Sequence, residues 1–179
     1  MPSGVDIRAL DASRDRAWAE ALLGAELGGR LQARRGELMD PLEGAGLVAE
    51  LRGQLVGLVT WAVAGPFSGP RDGEIRVLVV ARAARRGGIG SALLSAAREA
   101  MARAGAERAW LVTTNDNLEA LRFYQRRGWR LATLNAGAVD EARRTLKPAI
   151  GSIGNDGIPI RDELILTLEL PTSGYGHLG

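Results

Sequence analysis

Apolar and polar positions along the chain follow two different periods, which is the pattern of a mixed α/β protein. The runs EIRVLVV (residues 74–80) and RAWLVTTN (residues 108–115) are short and apolar, and they predict two strands. Between them, apolar residues recur at helical spacing from Ile89 to Ala104, which predicts a helix that packs one face on the sheet. Gly105 follows where a helix end favours a left-handed residue.

The rest of the chain extends this pattern into one domain. Because a strand–helix–strand–helix–strand order produces crossover connections on one sheet, we expect an α/β fold with three layers (α/β/α) over residues 1–170, followed by a flexible tail at residues 171–179. The other predicted elements are strands at 5–10, 129–134 and 161–170, a hairpin at 46–63 that turns at Arg52-Gly53, helical segments at 15–38 (broken around Gly28-Gly29), 117–128 and 140–146, a loop at 65–73, and a long connection at 135–160.

Composition narrows the chemistry that this domain can perform. The 179 residues include no cysteine, which excludes disulfides, thiolate metal sites and a cysteine nucleophile, and no metal site is expected. The chain has a net charge of only +2, and Lys147 is its single lysine, so we do not expect a nucleic-acid-binding surface. No apolar stretch is long enough to span a membrane and no signal-peptide pattern is visible, so no membrane association and a cytoplasmic location are expected.

The junction after the strand at 74–80 carries residues that pack poorly. Gly87, Gly88 and Gly90 lack Cβ atoms and precede or open a helix, whose first turn has unpaired N–H groups and the positive end of the helix dipole. Arg85 and Arg86 add positive charge. This combination predicts a cradle for a phosphate or pyrophosphate, and the alternative is a flexible turn with solvated arginines.

Two motifs identify the phosphate ligand more closely. The sequence does not match the dinucleotide-binding motif G-x-G-x-x-G, because Leu93 occupies the position of the third glycine. It does not match a P-loop either, because the single lysine, Lys147, lies outside this junction and precedes a proline. The pattern R-x-x-G-x-G at Arg85, Gly88 and Gly90 resembles the acetyl-CoA pyrophosphate motif of the GNAT superfamily of N-acetyltransferases. Downstream, NDNLEALRFYQRRGW resembles the second GNAT signature, at Asn117, Ala120, Phe123, Tyr124, Gly128 and Trp129.

The resemblance implies a splayed central sheet that binds acetyl-CoA. The strand at 74–80 would part from the strand at 108–115, and the pantetheine arm would lie in the gap along the backbone of three residues, Leu78, Val79 and Val80. A backbone N–H near Val79 would polarise the acetyl carbonyl, and Asn117 would touch the cofactor from the next helix. The pyrophosphate would bind the loop formed by Arg85, Arg86, Gly87, Gly88, Ile89, Gly90 and Ser91.

The implied reaction is transfer of the acetyl group to an amine by direct attack in a ternary complex. Tyr124 matches the family's general acid, which protonates the leaving thiolate, and the alternative for this residue is an ordinary core tyrosine. Glu74 is the candidate base. Alternation would place Glu74, Arg76, Leu78 and Val80 on one face. In the competing interpretation, Glu74 and Arg76 form ordinary cross-strand ion pairs.

The predicted helix that carries Tyr124 has candidate capping residues at its start. Asp116 and Glu119 fit a capping box that would start this helix, and Asn117 has helix capping as its alternative role. His177, the single histidine, lies in the tail and is not expected to be a catalyst.

The connection at 135–160 is predicted to form one wall of the acceptor pocket. Asp140 and Glu141 would attract a cationic amine. In the alternative interpretation, four acidic residues only keep the surface soluble: Asp140, Glu141, Asp162 and Glu163. In the competing interpretation this segment packs against a second subunit of a homodimer.

Three functions therefore compete: an active N-acetyltransferase, a catalytically inactive acyl-CoA-binding module, and an arginine-rich nucleic-acid-binding domain. The acceptor is a small-molecule or peptide amine, and an antibiotic, a polyamine, an amino acid and a protein N-terminus all stay open.

Overall fold

A mixed seven-stranded sheet forms the centre of the computed structural model, which describes residues 4–65 and 69–171. The strand order is β1-β4-β5-β6-β7-β9-β8, and β2 and β3 form a separate hairpin. The strands are β1 (Val5–Ala9), β2 (Gln32–Arg34), β3 (Glu37–Met39), β4 (Ala45–Leu51), β5 (Gln54–Gly65), β6 (Gly69–Val80), β7 (Arg108–Thr114), β8 (Arg130–Asn135) and β9 (Glu163–Glu169). The helices are α1 (Arg16–Leu27), α2 (Ile89–Arg103), α3 (Leu118–Gln125) and α4 (Ala138–Thr145).

The sheet is splayed at its single parallel pair among the described strands. β6 and β7 pair only where Asp72–Glu74 of β6 lie beside Arg108–Trp110 of β7, and beyond Glu74 the two strands separate. All other neighbouring strands in the described part of the sheet are antiparallel. The predicted parting of the strands at 74–80 and 108–115 is therefore confirmed, and it leaves a gap in the middle of the sheet.

Helices cover both faces of the sheet, so the predicted three-layer arrangement is confirmed. Ala49 and Val59 pack in a core cluster with α2 and α3, whereas their neighbours Val48 and Leu58 pack on α1. Because side chains alternate between the faces of a strand, these adjacent residues show that the sheet lies between the helices. The predicted turn at Arg52-Gly53 is also confirmed, since both residues have positive φ (53° and 78°), as a two-residue hairpin turn requires.

Two segments differ from the sequence-based predictions. The second half of the helical segment predicted at 15–38 is instead the hairpin β2–β3, which turns where Arg35 (φ 50°) and Gly36 (φ 79°) are both left-handed. The loop predicted at 65–73 is also wrong in part, because β5 extends to Gly65 and β6 starts at Gly69. Residues 66–68, His177 and almost all of the predicted tail lie outside the described residues.

A β-bulge in β6 overturns the predicted alternation of Glu74, Arg76, Leu78 and Val80. Thr60 of β5 pairs with Val77 and Trp61 pairs with Ile75, which leaves Arg76 as the extra residue of the bulge. The bulge shifts the side-chain alternation by one position. Leu78 and Val80 therefore pack with Ile75 on the α2 face, whereas Glu74 lies on the opposite face, beside the β2–β3 hairpin.

Candidate active site

The strand–helix junction after β6 has the geometry of an anion cradle. Gly88 precedes α2 in a left-handed conformation (φ 80°), and no side chain caps the first turn of α2. The first N–H groups of this helix, at Ile89, Gly90 and Ser91, consequently have no intrahelical partner. Together with the dipole of a 15-residue helix, they can bind a phosphate group that approaches along the glycines.

The two arginines of the cradle differ in their partners. Arg85 forms an ion pair with Glu26 of α1 and donates from Nε to the Val80 carbonyl oxygen (3.0 Å). Glu26 also accepts a hydrogen bond from the Arg82 backbone N–H (3.1 Å), so this pair holds the junction against α1. The side chain of Arg86 contacts no hydrogen-bonding or ionic partner among the described residues, and it is the guanidinium of the pair that is free to meet a ligand.

The main chain of β6 presents alternate residues to the gap. The Ala81 N–H donates to the Val56 carbonyl oxygen of β5 (2.8 Å). Hydrogen bonds in an antiparallel ladder involve every second residue, so Val79, two positions earlier, bonds to Leu58 of β5 through its N–H and C=O groups. The N–H and C=O groups of the intervening residues, Leu78 and Val80, therefore point away from β5 and face the gap. The geometry thus favours Leu78 and Val80, rather than the predicted Val79, for backbone contacts with a ligand.

The start of α3 lies beside this gap. Asn117 is the N-cap of α3, and its Oδ1 accepts a hydrogen bond from the Ala120 N–H (3.1 Å), so the capping role of Asn117 is confirmed. Only the Nδ2 group of its amide is left for a ligand. The predicted capping box is wrong, because the buried Asp116 side chain accepts instead from Thr114 Oγ1 (2.5 Å) and from the Asn155 backbone N–H (3.0 Å).

Tyr124 lies on the face of α3 that packs on the sheet. Its ring makes edge-to-face contacts with Phe123 (centroids 5.1 Å apart) and Trp129 (5.5 Å), and the residue is 8% exposed. Burial raises the pKa of the Tyr124 phenol above its usual value, because the phenolate would be poorly solvated there. The phenol is therefore protonated throughout the neutral pH range, as a proton donor must be.

Glu74 is buried in an ion pair on the other face of the sheet. Arg34 of β2 donates from Nη2 to Glu74 Oε2 (2.8 Å) and places Nε 2.6 Å from Oε1, whereas Arg76 Nε lies 3.8 Å from Oε2. Glu74 therefore forms a buried ion pair, whose nearer partner is Arg34 of the separate hairpin rather than Arg76 of its own strand. Burial raises the pKa of Glu74, and the charge of Arg34 opposes this shift.

The β2–β3 hairpin also reaches a second buried carboxylate. The Arg35 backbone N–H donates to both oxygens of Glu163 (3.0 and 3.1 Å), and Glu163 is 2% exposed. The guanidinium groups of Arg34 and Arg35 lie over the ring of Trp110, at 5.9 and 5.2 Å from its centroid. The surface role predicted for Glu163 is wrong. No local pattern marks this contact, which joins residues 128 positions apart.

The connection between β8 and β9 is held at several points rather than loosely attached. Arg143 of α4 donates to the carbonyl oxygens of Ile150 (3.0 Å), Gly151 (2.8 Å) and Ile160 (2.8 Å). Asn115, at the end of β7, donates to the Pro159 carbonyl oxygen (2.9 Å). These bonds fix the connection beside the open end of the splayed strands.

Close backbone packing brings the same connection against the start of α3. A Cβ atom on Gly154 would lie 2.1 Å from Asp116 Oδ2 and 2.7 Å from Ile160 Cγ1, so only glycine fits there. The connection also reaches the β2–β3 hairpin. Lys147 Nζ, just after α4, donates to the carbonyl oxygen of Leu31 (2.8 Å), in the segment that leads into that hairpin. The connection and the hairpin are thus joined in one layer next to the gap.

The carboxylates that were predicted to attract an amine are already paired. Asp140 binds Arg143 (2.6 Å), and Glu141 forms an ion pair with Arg144. Asp162 Oδ1 accepts a hydrogen bond from the Gly137 N–H (2.8 Å), so it shapes the chain rather than the surface charge. Over residues 4–65 and 69–171, no group of three or more His, Cys, Asp or Glu side chains is placed to hold a metal ion, and no helix is long and apolar enough to cross a membrane.

Comparisons with known proteins identify the family of this chain. The model of the acetyltransferase (GNAT) family matches residues 11–129. The chain is 39% identical to the protein YxbD of Bacillus subtilis over 131 residues, which cover 73% of this chain and 77% of that relative.

Solved structures share the fold over nearly their whole length. An IAA acetyltransferase from Bacillus cereus aligns with a TM-score of 0.73 and 23% identity, covering 93% of this chain and 99% of that chain. A GNAT family acetyltransferase from Elizabethkingia anophelis, whose structure has acetyl-CoA bound, aligns with a TM-score of 0.72 and 20% identity, covering 94% and 99%. The fold of this chain is the GNAT fold, and the chain belongs to the acetyltransferase (GNAT) family.

Proposed function

We propose that this protein is an N-acetyltransferase that moves the acetyl group of acetyl-CoA to an amine acceptor by direct attack in a ternary complex. The observation that carries this proposal is the gap between β6 and β7, with an uncapped helix N-terminus after β6 and a buried, protonated tyrosine on the helix that follows β7. Acetyl-CoA needs all three features: a phosphate cradle, a slot for an extended arm, and a proton donor near the sulfur.

In the proposed binding mode, the pyrophosphate accepts hydrogen bonds from the N–H groups of Ile89, Gly90 and Ser91, and Arg86 supplies positive charge. The pantetheine arm lies along the backbone of Leu78 and Val80, and the Asn117 Nδ2 group touches it from α3. An N–H from this stretch of β6 polarises the acetyl carbonyl. Arg85 has a supporting role, because Glu26 already binds its guanidinium.

The transfer itself requires two proton movements. The amine nitrogen forms a bond to the acetyl carbon and the carbon–sulfur bond breaks, so that the sulfur leaves as a thiolate. The Tyr124 phenol gives its proton to this thiolate, whose conjugate thiol has an ordinary pKa of about 8.5. A primary amine has an ordinary pKa of about 10.4, and a base must remove its proton before or during attack.

We propose Glu74 as this base. Only a charged carboxylate can accept a proton, and the ion pair with Arg34 favours the charged form in a buried position. Because Glu74 lies on the face opposite Leu78 and Val80, it would meet the acceptor from the hairpin side rather than the cofactor side.

The acceptor pocket is proposed to lie between the β2–β3 hairpin and the connection at 135–160. These segments are joined by Lys147, and the hairpin contacts Glu74 on the sheet face opposite Leu78 and Val80. The acceptor is then a small molecule or a peptide that carries a free amine. We further propose that residues 1–170 act as one domain and that the protein works in the cytoplasm.

A panel of amine acceptors, incubated with acetyl-CoA, tests the proposal through the released thiol. The chain contains no cysteine, so it contributes no background thiol. Turnover with at least one antibiotic, polyamine, amino acid or peptide acceptor is the expected result. Tight binding of acetyl-CoA without turnover of any acceptor, under conditions where a known acetyltransferase is active, would support the inactive binding module instead.

A further inference from the structure

A positively charged groove lies next to the phosphate cradle, between the start of α2 and α3. Arg122 and Arg126 stand on one face of α3, four residues apart, with Glu119 one turn earlier. The groove is lined by Ser91, Glu119, Arg122, Phe123, Arg126 and Arg127. The three arginines and one glutamate give this lining a formal charge of +2.

The third arginine, Arg127, fixes the two walls of the groove together. Its guanidinium lies 3.7 Å from the centroid of the Phe123 ring, donates to the Phe123 carbonyl oxygen (2.8 Å), and donates to Ser91 Oγ in the first turn of α2 (2.5 Å). Both terminal nitrogens of this guanidinium therefore donate to the protein. Its role is to hold α3 against the cradle and to set the spacing between the two helices.

Arg122 and Arg126 differ from most other arginines because their side chains have no ionic or hydrogen-bonding partner within residues 4–65 and 69–171. Arg8, Arg34, Arg85 and Arg143 each bind a carboxylate. The side chains of Arg122 and Arg126 make neither an ion pair nor a hydrogen bond with any residue in the described part of the chain. Two free guanidinium groups at (i, i+4) spacing, in a concave site, suit a doubly charged oxyanion.

Coenzyme A supplies such a group close to the cradle. Its pyrophosphate is joined to the adenosine ribose, and the same ribose carries a 3′-phosphomonoester with a charge of about −1.5 to −2 at neutral pH. Ser91 belongs both to the cradle and to the groove, so a cofactor whose pyrophosphate binds the α2 N-terminus extends its ribose toward α3.

We propose that Arg122 and Arg126 bind the 3′-phosphate of coenzyme A and thereby select the 3′-phosphorylated cofactor over 3′-dephospho-CoA. Glu119, the one acid of the lining, lies in the first turn of α3. It repels a phosphate at that end of the groove and leaves the Arg122–Arg126 end as the site. The inference rests on the proposed use of acetyl-CoA.

Calorimetric titration with CoA and with 3′-dephospho-CoA tests this inference. Wild-type protein should bind CoA at least about tenfold more tightly, since hydrogen bonds between charged partners are the strong ones. The double variant Arg122→Gln, Arg126→Gln should bind the two ligands within about threefold of each other, through weaker binding of CoA and unchanged binding of 3′-dephospho-CoA. The preference should also decrease as salt concentration rises.

Arg103→Gln serves as the matched control. Arg103 is an exposed arginine at the opposite end of α2, about 20 Å from the cradle along a helix of this length. It should keep the full preference for CoA. Equal binding of the two ligands by wild-type protein, or an undiminished preference in the double variant, would overturn the inference and leave the proposed function intact. A wild-type protein that binds neither ligand would overturn both.

Discussion

The two sides of the splayed strands are built in different ways. The proposed cofactor side consists of the β6–α2 junction and the helix α3, and its groups come from two short stretches, residues 85–91 and 117–129. The proposed acceptor side is assembled from contacts between distant parts of the chain, such as Arg34 with Glu74, which are 40 positions apart, and Arg35 with Glu163, which are 128 positions apart. One side is thus local in sequence and the other is not.

Charge separates the two sides as well. On the cofactor side, Arg86, Arg122 and Arg126 have no ionic partner among the described residues, and the N–H groups at the start of α2 have no side-chain cap. On the acceptor side, the carboxylates of Asp140 and Glu141 are already engaged by arginines. The proposed cofactor side is prepared for an anion, whereas the proposed acceptor side is closer to neutral, and we expect it to select its substrate by shape and by hydrogen bonds.

The largest expected effect concerns Tyr124, the buried tyrosine of α3. Tyr124→Phe keeps the ring that packs on Phe123 and Trp129 and removes only the hydroxyl group. Turnover should fall by about 100-fold, because the leaving thiolate loses its proton donor, while acetyl-CoA affinity stays within about twofold. Steady-state kinetics and calorimetry measure the two quantities. Unchanged turnover, with the chemical step shown to limit the rate, would remove Tyr124 from the mechanism.

The next effect tests the cradle itself. Gly88→Val forces a β-branched residue into a left-handed conformation (φ 80°) and crowds the approach to the α2 N-terminus. Acetyl-CoA affinity should fall by about 30-fold, as measured by calorimetry.

Gly105→Val is the control for this variant, because Gly105 has a similar φ (90°), follows α2 and has no atom near its Cβ position. It introduces the same kind of strain away from the ligand. If both variants keep wild-type affinity for acetyl-CoA, the pyrophosphate binds elsewhere.

This difference between the two sides decides what could be predicted from the sequence. The cradle and α3 follow from spacing within about fifteen residues, so Gly88, Asn117 and Tyr124 are found where their motifs place them. The sequence does not predict the β2–β3 hairpin, because its strands have only three residues each and its turn uses Arg35 at positive φ, where a glycine or asparagine signal is expected.

A further reason explains why the proposed acceptor side could not be predicted from the sequence. The bulge at Arg76 adds one residue to a strand and reverses which face the earlier residues occupy, and a sequence that alternates on both sides of a bulge does not reveal it. For this reason, the alternation in the sequence predicts Glu74 on the face of Leu78. The sequence also predicts a surface position for Glu163, because its partner is a backbone N–H in another hairpin and such a bond leaves no mark in the side-chain pattern.

A pH profile sharpens the role of the acceptor side. Burial raises the pKa of Glu74 and the charge of Arg34 opposes that shift, so Arg34→Met should raise the pKa of Glu74 further. A base works only when deprotonated. The acidic limb of kcat/KM should therefore move to higher pH by about one unit, which is a tenfold loss of rate at a fixed acidic pH.

Glu37→Gln is the matched control, because Glu37 is the exposed second partner of Arg34 and lies at the rim (side chain 56% exposed). It should leave the acidic limb within about 0.3 units, as expected for an exposed ion pair. An Arg34→Met protein whose acidic limb coincides with that of the wild type would show that Glu74 is a structural ion-pair partner and not the base.

A smaller effect is expected where the connection packs on α3. Gly154→Ala would place a methyl group 2.1 Å from Asp116 Oδ2, and Asp116 cannot withdraw because Thr114 and Asn155 hold it. The connection should lift, so that acceptor KM rises by about fivefold while acetyl-CoA KM is unchanged. In Gly151→Ala the added methyl would meet its nearest atom at 3.5 Å, an ordinary contact, and acceptor KM should not change. Normal acceptor kinetics in Gly154→Ala would mean that the connection does not wall the pocket.

The smallest expected effect concerns Glu141, which the sequence suggested as an attractive charge for a cationic amine. Glu141 and Arg144 form an exposed ion pair on α4, with side chains 54% and 72% exposed. Such a pair presents almost no net charge to an approaching substrate, and its own contribution to stability is about 0.5 kcal/mol or less. Glu141→Gln should therefore change the KM of a cationic acceptor by less than about twofold at low salt and at physiological salt.

Asp140→Asn should have the larger effect on this KM, because it releases Arg143, which binds three carbonyl oxygens of the connection. A fivefold rise in KM for Glu141→Gln that disappears at high salt would show instead that long-range charge guides the acceptor to this side.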